Sequence, residues 1–144
     1  MTDRRTARER AYFLIFEKAF QPGMIAEELY AQEQSEQEWE YDDYTERVFL
    51  SACANMETID GYIAKYAKKR ALSRISKAAL AAMRLSIAEM LYLTAEIPFR
   101  VSINEAVEIL KKYDEPETVG FANGILNAVA DELGLKETGT EVTE

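Results

Sequence analysis

From Pro98 to Leu133 the chain reads PFRVSINEAVEILKKYDEPETVGFANGILNAVADEL. The pattern predicts two helices joined by a short acidic turn. Pro98 has no N–H to donate and ends whatever precedes it. Ser102 and Glu105 match the S-x-x-E capping box, in which the hydroxyl accepts from one backbone N–H and the carboxylate reaches back to another. Ile103, Val107 and Leu110 then fall on one face at helical spacing. The helix is expected to end near Lys112, where cations suit the negative end of the dipole. Asp114-Glu115-Pro116-Glu117 is turn and helix-start chemistry. A last helix is expected to bury Phe121, Ile125, Leu126, Val129 and Leu133, with Gly134 stopping it. Within it, Gly124 is read as a point of close helix approach and Asn123 as a group that satisfies a neighbouring backbone.

The rest of the chain reads as helices too. Thr2 or Asp3 caps a first helix to about Phe20, with Ala7, Ala11, Leu14, Ile15 and Phe16 as its buried stripe. Arg4, Arg5 and Arg8 project from its first turns, where cations oppose the dipole by a few tenths of a kcal/mol each. Either an anionic partner or a nearby acid (Asp3 or Glu9) offsets that cost. Pro22-Gly23 breaks the helix. Met24 to about Gln34 is a short second helix with Ile25, Leu29 and Tyr30 inward. A polar loop follows, with Trp39 and Tyr41 as its anchors. From Asp42 or Asp43 one long third helix carries Val48, Ala52, Met56, Ile59, Ile63 and Tyr66 at core spacing. Gly61 marks a bend or a close approach within it, and Cys53 is a packing residue. Ser73–Ser76 is a connector, and Ser76 caps a helix to about Thr94. The alanines at 78, 79, 81 and 82 give this helix a thin side. Residues 1–135 form one all-α domain, and 136–144 a flexible acidic tail.

Composition narrows the function. The 144 residues include 26 acids, 17 bases, no histidine and one cysteine, and the net charge is −9. No apolar run approaches the roughly 20 residues of a membrane span, no signal peptide is recognisable, and Cys53 has no partner for an internal disulfide; the cytoplasm is the expected compartment. Without histidine, Ser-His-Asp and Cys-His catalysis and histidine metal sites are excluded. There is no Gly-rich phosphate loop, so no cofactor and no metal are expected. Charge is polarised. Nine acids and no base lie between Met24 and Glu46, seven cations and no acid between Gly61 and Ala88, and Arg4, Arg5, Arg8 and Arg10 cluster at the start. Such a chain can bind an anion on one face while staying acidic overall; solvated helix faces are the plainer explanation of the same runs.

Two strings carry a specific resemblance. Pro98-Phe99-Arg100-Val101-Ser102-Ile103-Asn104-Glu105-Ala106-Val107-Glu108 and Phe121-Ala122-Asn123-Gly124-Ile125-Leu126 resemble the two signature blocks of the NusB family of bacterial transcription antitermination factors. Arg4-Arg5-Thr6-Ala7-Arg8-Glu9 is similar to the family's opening. Leu72, Arg74, Ile75, Lys77, Met83, Arg84, Leu85, Glu89 and Met90 match its middle. The resemblance implies an all-α fold of two three-helix subbundles. It also implies a factor that binds the boxA element of leader RNA together with NusE, a small-subunit ribosomal protein, within an antitermination complex on RNA polymerase, in some members as a homodimer. By position it implies RNA contacts at Arg4, Arg5, Arg8, Phe16, Glu117 and Phe121, and a NusE contact around Lys77, Ala79 and Arg84. The chain departs from the family pattern at Arg70, Ala79 and Gly120. The physics suits RNA. Arginine forks match phosphates, and aromatic faces and edge contacts read unpaired bases. Phe16 and Phe121 also lie on stripes that core packing explains. The rival readings are a protein-only adaptor for NusE, a NusB-like domain of an RNA methyltransferase (disfavoured by the lack of a cofactor-binding domain after Leu135) and a helical hydrolase using paired carboxylates.

Overall fold

The computed structural model describes residues 2–68 and 70–136; the segment 137–144, which holds all but one residue of the expected acidic tail, lies outside the described residues. Seven α-helices and one short 3₁₀ turn follow in order: α1 (Arg4–Phe20), α2 (Ala26–Glu36), α3 (Asp43–Ala54), α4 (Met56–Ala67), the 3₁₀ turn Leu72–Arg74, α5 (Lys77–Tyr92), α6 (Phe99–Lys111) and α7 (Pro116–Glu132). No strand occurs among the described residues, and none of the helices is long and apolar enough to cross a membrane.

α5 is the hub. Eleven of its 16 residues are buried, among them Ala79, Ala81, Ala82 and Ala88. Its alanine sides let α1 and α3 pack on one flank and α4, α6 and α7 on the others. α1–α3 form one bundle and α5–α7 the other, with α4 laid across α5 and α7. Leu14, Ile15, Phe49, Met83, Leu85, Ile87, Leu110 and Leu126 are fully enclosed in one continuous core.

The helix starts follow capping chemistry. Asp3 accepts from the Thr6 N–H at 2.7 Å, Asp42 from Thr45 at 3.1 Å and Ser76 from Ala79 at 3.0 Å. The expected long third helix is two helices. The break falls at Asn55, not at Gly61. Asn55 leaves helical geometry (φ −122°, ψ 25°), its side-chain amide donates to the Ser51 carbonyl at 2.8 Å, and its own carbonyl accepts from Ile59 to start α4. One residue therefore ends one helix and begins the next. In α2, Leu29 and Tyr30 are inward as expected, but Ile25 stands exposed at the helix start.

Ser102 and Glu105 do not form a capping box. α6 begins three residues earlier, at Phe99 after Pro98. That places Ser102 in the helix interior, where its hydroxyl lies 2.8 Å from the Ser86 hydroxyl of α5 and donates to the Ser86 carbonyl. Gly124 has open space where a Cβ would sit, so no helix approaches it, and Asn123 is exposed, its carbonyl and side-chain oxygens accepting from the Asn127 amide one turn on. Gly134 does stop the last helix, with φ +76°, a conformation that costs a side chain.

Ser76 has a second task. Its hydroxyl meets the Asp114 carboxylate at 2.6 Å and so ties the start of α5 to the α6–α7 turn. Ser76→Ala is expected to destabilise the fold by about 1–2 kcal/mol, read as a lower urea midpoint at unchanged slope.

Candidate nucleic-acid interface

The side of α1 that faces α6 combines charge with aromatic surface. Arg5, with 73% of its side chain exposed, makes two bonds to Glu105, Nε to Oε1 at 3.0 Å and a terminal guanidinium nitrogen to Oε2 at 2.9 Å. One turn on, Glu9 pairs with Lys112 at 2.7 Å. Another turn on, Tyr12 stacks on Tyr113, ring centroids 5.5 Å apart and 14° from parallel. Tyr12 continues to Phe16 at 6.3 Å, and Phe16 to Phe20 at 5.1 Å. Across from this row, Phe13 meets the edge of Trp39 at 5.9 Å, and the Arg10 guanidinium sits 5.4 Å from the Trp39 ring centre. Between the two sets runs an open groove of ≈ 710 Å³ lined by Thr6, Glu9, Arg10, Tyr12, Phe13, Phe16, Trp39, Ala78 and Tyr113. Four segments build it: α1, the α2–α3 loop, the start of α5 and the α6–α7 turn.

Beneath Arg5 lies a buried polar seam. Arg8 Nε bonds Glu89 Oε2 at 2.8 Å, with side-chain exposures of 3% and 0%. The same guanidinium reaches Glu105 at 3.9 Å. One guanidinium nitrogen of Arg8 and one carboxylate oxygen of Glu89 are buried without a partner. Burial pushes the Glu89 carboxyl up, against the pull of Arg8. Glu105 goes the other way: its bond to Arg5 holds it below the usual carboxylate range. A depressed folded-state value contributes stability above the unfolded-state value of about 4.3, lost as pH falls through the folded one. Arg5→Ala is therefore expected to lower stability near neutrality and to flatten its decline between roughly pH 5 and pH 3, measured by chemical denaturation across pH.

The residues singled out in the sequence separate into three places. Arg4 is exposed and lies 4.1 Å from the Tyr44 ring centre. Arg5 stands at the α1–α6 seam, and Phe16 packs on the core with its free side toward the groove. Arg8 is enclosed. Glu117 is exposed in the first turn of α7. Phe121 is half-buried, and its cationic neighbour is Arg70, 4.4 Å above the ring, from the connection before α5. Of the three residues expected to meet NusE, Lys77 is exposed, Ala79 is fully buried, and Arg84 is held in two bonds to Asp60 at 2.8 and 2.9 Å. Lys77 and Arg84 line a small cleft of ≈ 240 Å³ with Lys18, Cys53 and Leu80. Burial pushes the Cys53 thiol up to about 11, which leaves it unreactive near neutrality. Sequence reasoning missed Tyr12, Phe13 and Tyr113, counted Arg10 only within the N-terminal cation cluster and gave Trp39 only an anchoring role. The usable signal was the aromatic density of Tyr12-Phe13 beside Phe16, which a helix cannot bury on one stripe.

The architecture is shared with solved structures. A NusB from T. maritima superposes with a TM-score of 0.80 at 30% identity, covering 91% of this chain and 92% of that one. A structure of the antitermination factors NusB and NusE in complex with dsRNA superposes with a TM-score of 0.78 at 26% identity, covering 90% and 96%. In sequence, the transcription antitermination protein NusB of Natranaerobius thermophilus is 40% identical over 134 residues, 90% of this chain and 96% of that protein. That of Acetivibrio thermocellus is 40% identical over 139 residues, 96% and 95%. The NusB family model matches residues 5–131, a span that takes in every helix except the outermost residues of α1 and α7, so the chain belongs to the NusB family.

Proposed function

We propose that this chain is a transcription antitermination factor that binds boxA-type single-stranded leader RNA jointly with NusE and helps RNA polymerase read through terminators. It acts by binding, in the cytoplasm, and not as an enzyme. The observation that carries the reading is the aromatic groove flanked by Arg5 and Arg10, in a chain whose relatives are named transcription antitermination proteins. Unpaired bases stack on such surfaces, while arginines take phosphates.

The roles of single residues follow from their surroundings. Arg4 and Arg5 reach the RNA backbone. Arg8 contributes from below, holding Glu89 and, through Glu105, the setting of Arg5. Phe16 offers one face to a base. Glu117 accepts from an exocyclic amino group, and Phe121 supports Arg70. NusE sits at the cleft that Lys77 and Arg84 line, with Lys77 its exposed member; Ala79 lies beneath and shapes it through α5.

Joint binding suits a chain with net charge −9, because a second, linked contact raises the effective concentration of the first. In an anisotropy titration of labelled boxA-type RNA, the chain alone is expected to bind weakly and the chain with NusE more tightly. Recovery of NusE with no RNA binding in any mixture would instead favour a protein-only adaptor.

A further inference from the structure

The connection between α4 and α5 concentrates cations that, among the described residues, carry no ion pair. Lys65 is paired with Glu132 and Arg84 with Asp60. Between them Lys68, Arg70, Arg74 and Lys77 are all exposed, and among the described residues no acid pairs with any of the four. In a chain with nine more acids than bases, a stretch of neighbouring, unpaired cations is unusual. It is a local positive field on an otherwise acidic body.

The connection also has a definite course. At its start the Arg70 guanidinium carbon sits over the Phe121 ring, 4.4 Å from its centre, on α7. At its end Ser76 is bonded to Asp114 in the α6–α7 turn. Lys77 Nζ stands 5.5 Å from the Phe20 ring, which abuts Phe16, and Ala78 is part of the groove wall beside Tyr113. The connection therefore passes from the ring of Phe121 on α7 to the wall of the groove at Ala78.

We propose that Lys68, Arg70 and Arg74 form a phosphate-binding track for the backbone of a single-stranded RNA whose bases occupy the aromatic groove, with Phe121 fixing the Arg70 guanidinium in place. This rests on the RNA-binding reading above and extends its footprint across the α4–α5 connection to α7. Arg70, where the chain departs from its family's pattern, is the centre of the track. Exposed and held over an aromatic ring by a cation–π contact, its guanidinium still has donors for phosphate oxygens.

The test is the salt dependence of RNA binding by the full chain with NusE present, using boxA-type single-stranded RNAs of roughly 4 and roughly 16 nucleotides. For the longer RNA, Arg70→Gln with Arg74→Gln is expected to reduce the slope of log affinity against log salt by about 1.4, roughly 0.7 per phosphate contact. For the short RNA, which the groove alone accommodates, the slope is expected to stay unchanged. Arg70→Lys with Arg74→Lys keeps the charge and is expected to keep the slope, which separates charge from folding. If the wild type binds the longer RNA and the glutamine variant shows the same slope, the track is wrong and the RNA-binding reading stands. If the glutamine variant loses NusE and not RNA, the patch serves a protein and the proposal is overturned. If the wild type binds neither RNA in any mixture, both readings fall together.

Discussion

Arg8→Ala is expected to lower the unfolding free energy by about 3–5 kcal/mol, a large share of the roughly 5–15 kcal/mol that holds a domain of this kind together. The reason is the partner left behind. Glu89 is completely enclosed and has one oxygen already unpaired; without Arg8 the cation bonded to it is gone. Arg8→Met combined with Glu89→Leu removes both charges and fills similar volume, so the double variant is expected to regain most of the loss. Urea denaturation followed by circular dichroism reads both. A loss below about 1 kcal/mol for Arg8→Ala would mean that Glu89 is protonated or hydrated, contrary to the enclosed pair. The same geometry bears on function: charge reversal at Arg8 is expected to abolish RNA binding by unfolding α1 from α5, so the exposed Arg4 and Arg5 are the arginines that test the proposed RNA surface.

Tyr113→Ala is expected to weaken RNA binding by about 1–3 kcal/mol, a factor of roughly 5 to 150, with NusE present. The ring is 56% exposed and stacks on Tyr12 from outside the core, so the cost to stability is expected to stay below roughly 1 kcal/mol. Trp39→Ala removes the opposite wall of the groove and is expected to match it in binding. Anisotropy titration with a boxA-type RNA measures the affinity, and thermal unfolding separates it from stability. A Tyr113→Ala protein that binds RNA like the wild type would place the strand elsewhere.

Much of this fold was legible in the chain, because its helices begin where Asp3, Asp42 and Ser76 can cap them and end where glycine or a charged turn stops them. What misled was local chemistry with two possible uses. Ser102 and Glu105 have the spacing of a cap, yet Pro98 fixes the helix start one turn earlier, freeing Ser102 for Ser86 and Glu105 for Arg5. Gly61 looked like the weak point of a long helix, but Asn55 left helical geometry, its side chain bonded back to Ser51 and its carbonyl starting α4.

The site was harder to read for a different reason. Arg4, Arg5 and Arg8 are alike in sequence, and only the position of Glu89 on α5 decides that Arg8 faces inward. The groove is assembled from four segments far apart in the chain, so no window of sequence contains it. The pairing of Arg70 with Phe121 spans 51 positions and equally leaves no local trace.

On the proposed reading, RNA lies in the groove between Tyr12–Tyr113 and Phe13–Trp39. Photocrosslinking of a 4-thiouridine-substituted boxA-type RNA to the chain bound to NusE, with the crosslinked peptides mapped by mass spectrometry, locates the strand. The predicted crosslinks fall on the peptides carrying Tyr12, Phe13, Trp39 and Tyr113. Crosslinks confined to the α2 surface or to the face around Cys53 and Arg84, with none on those peptides, would contradict it.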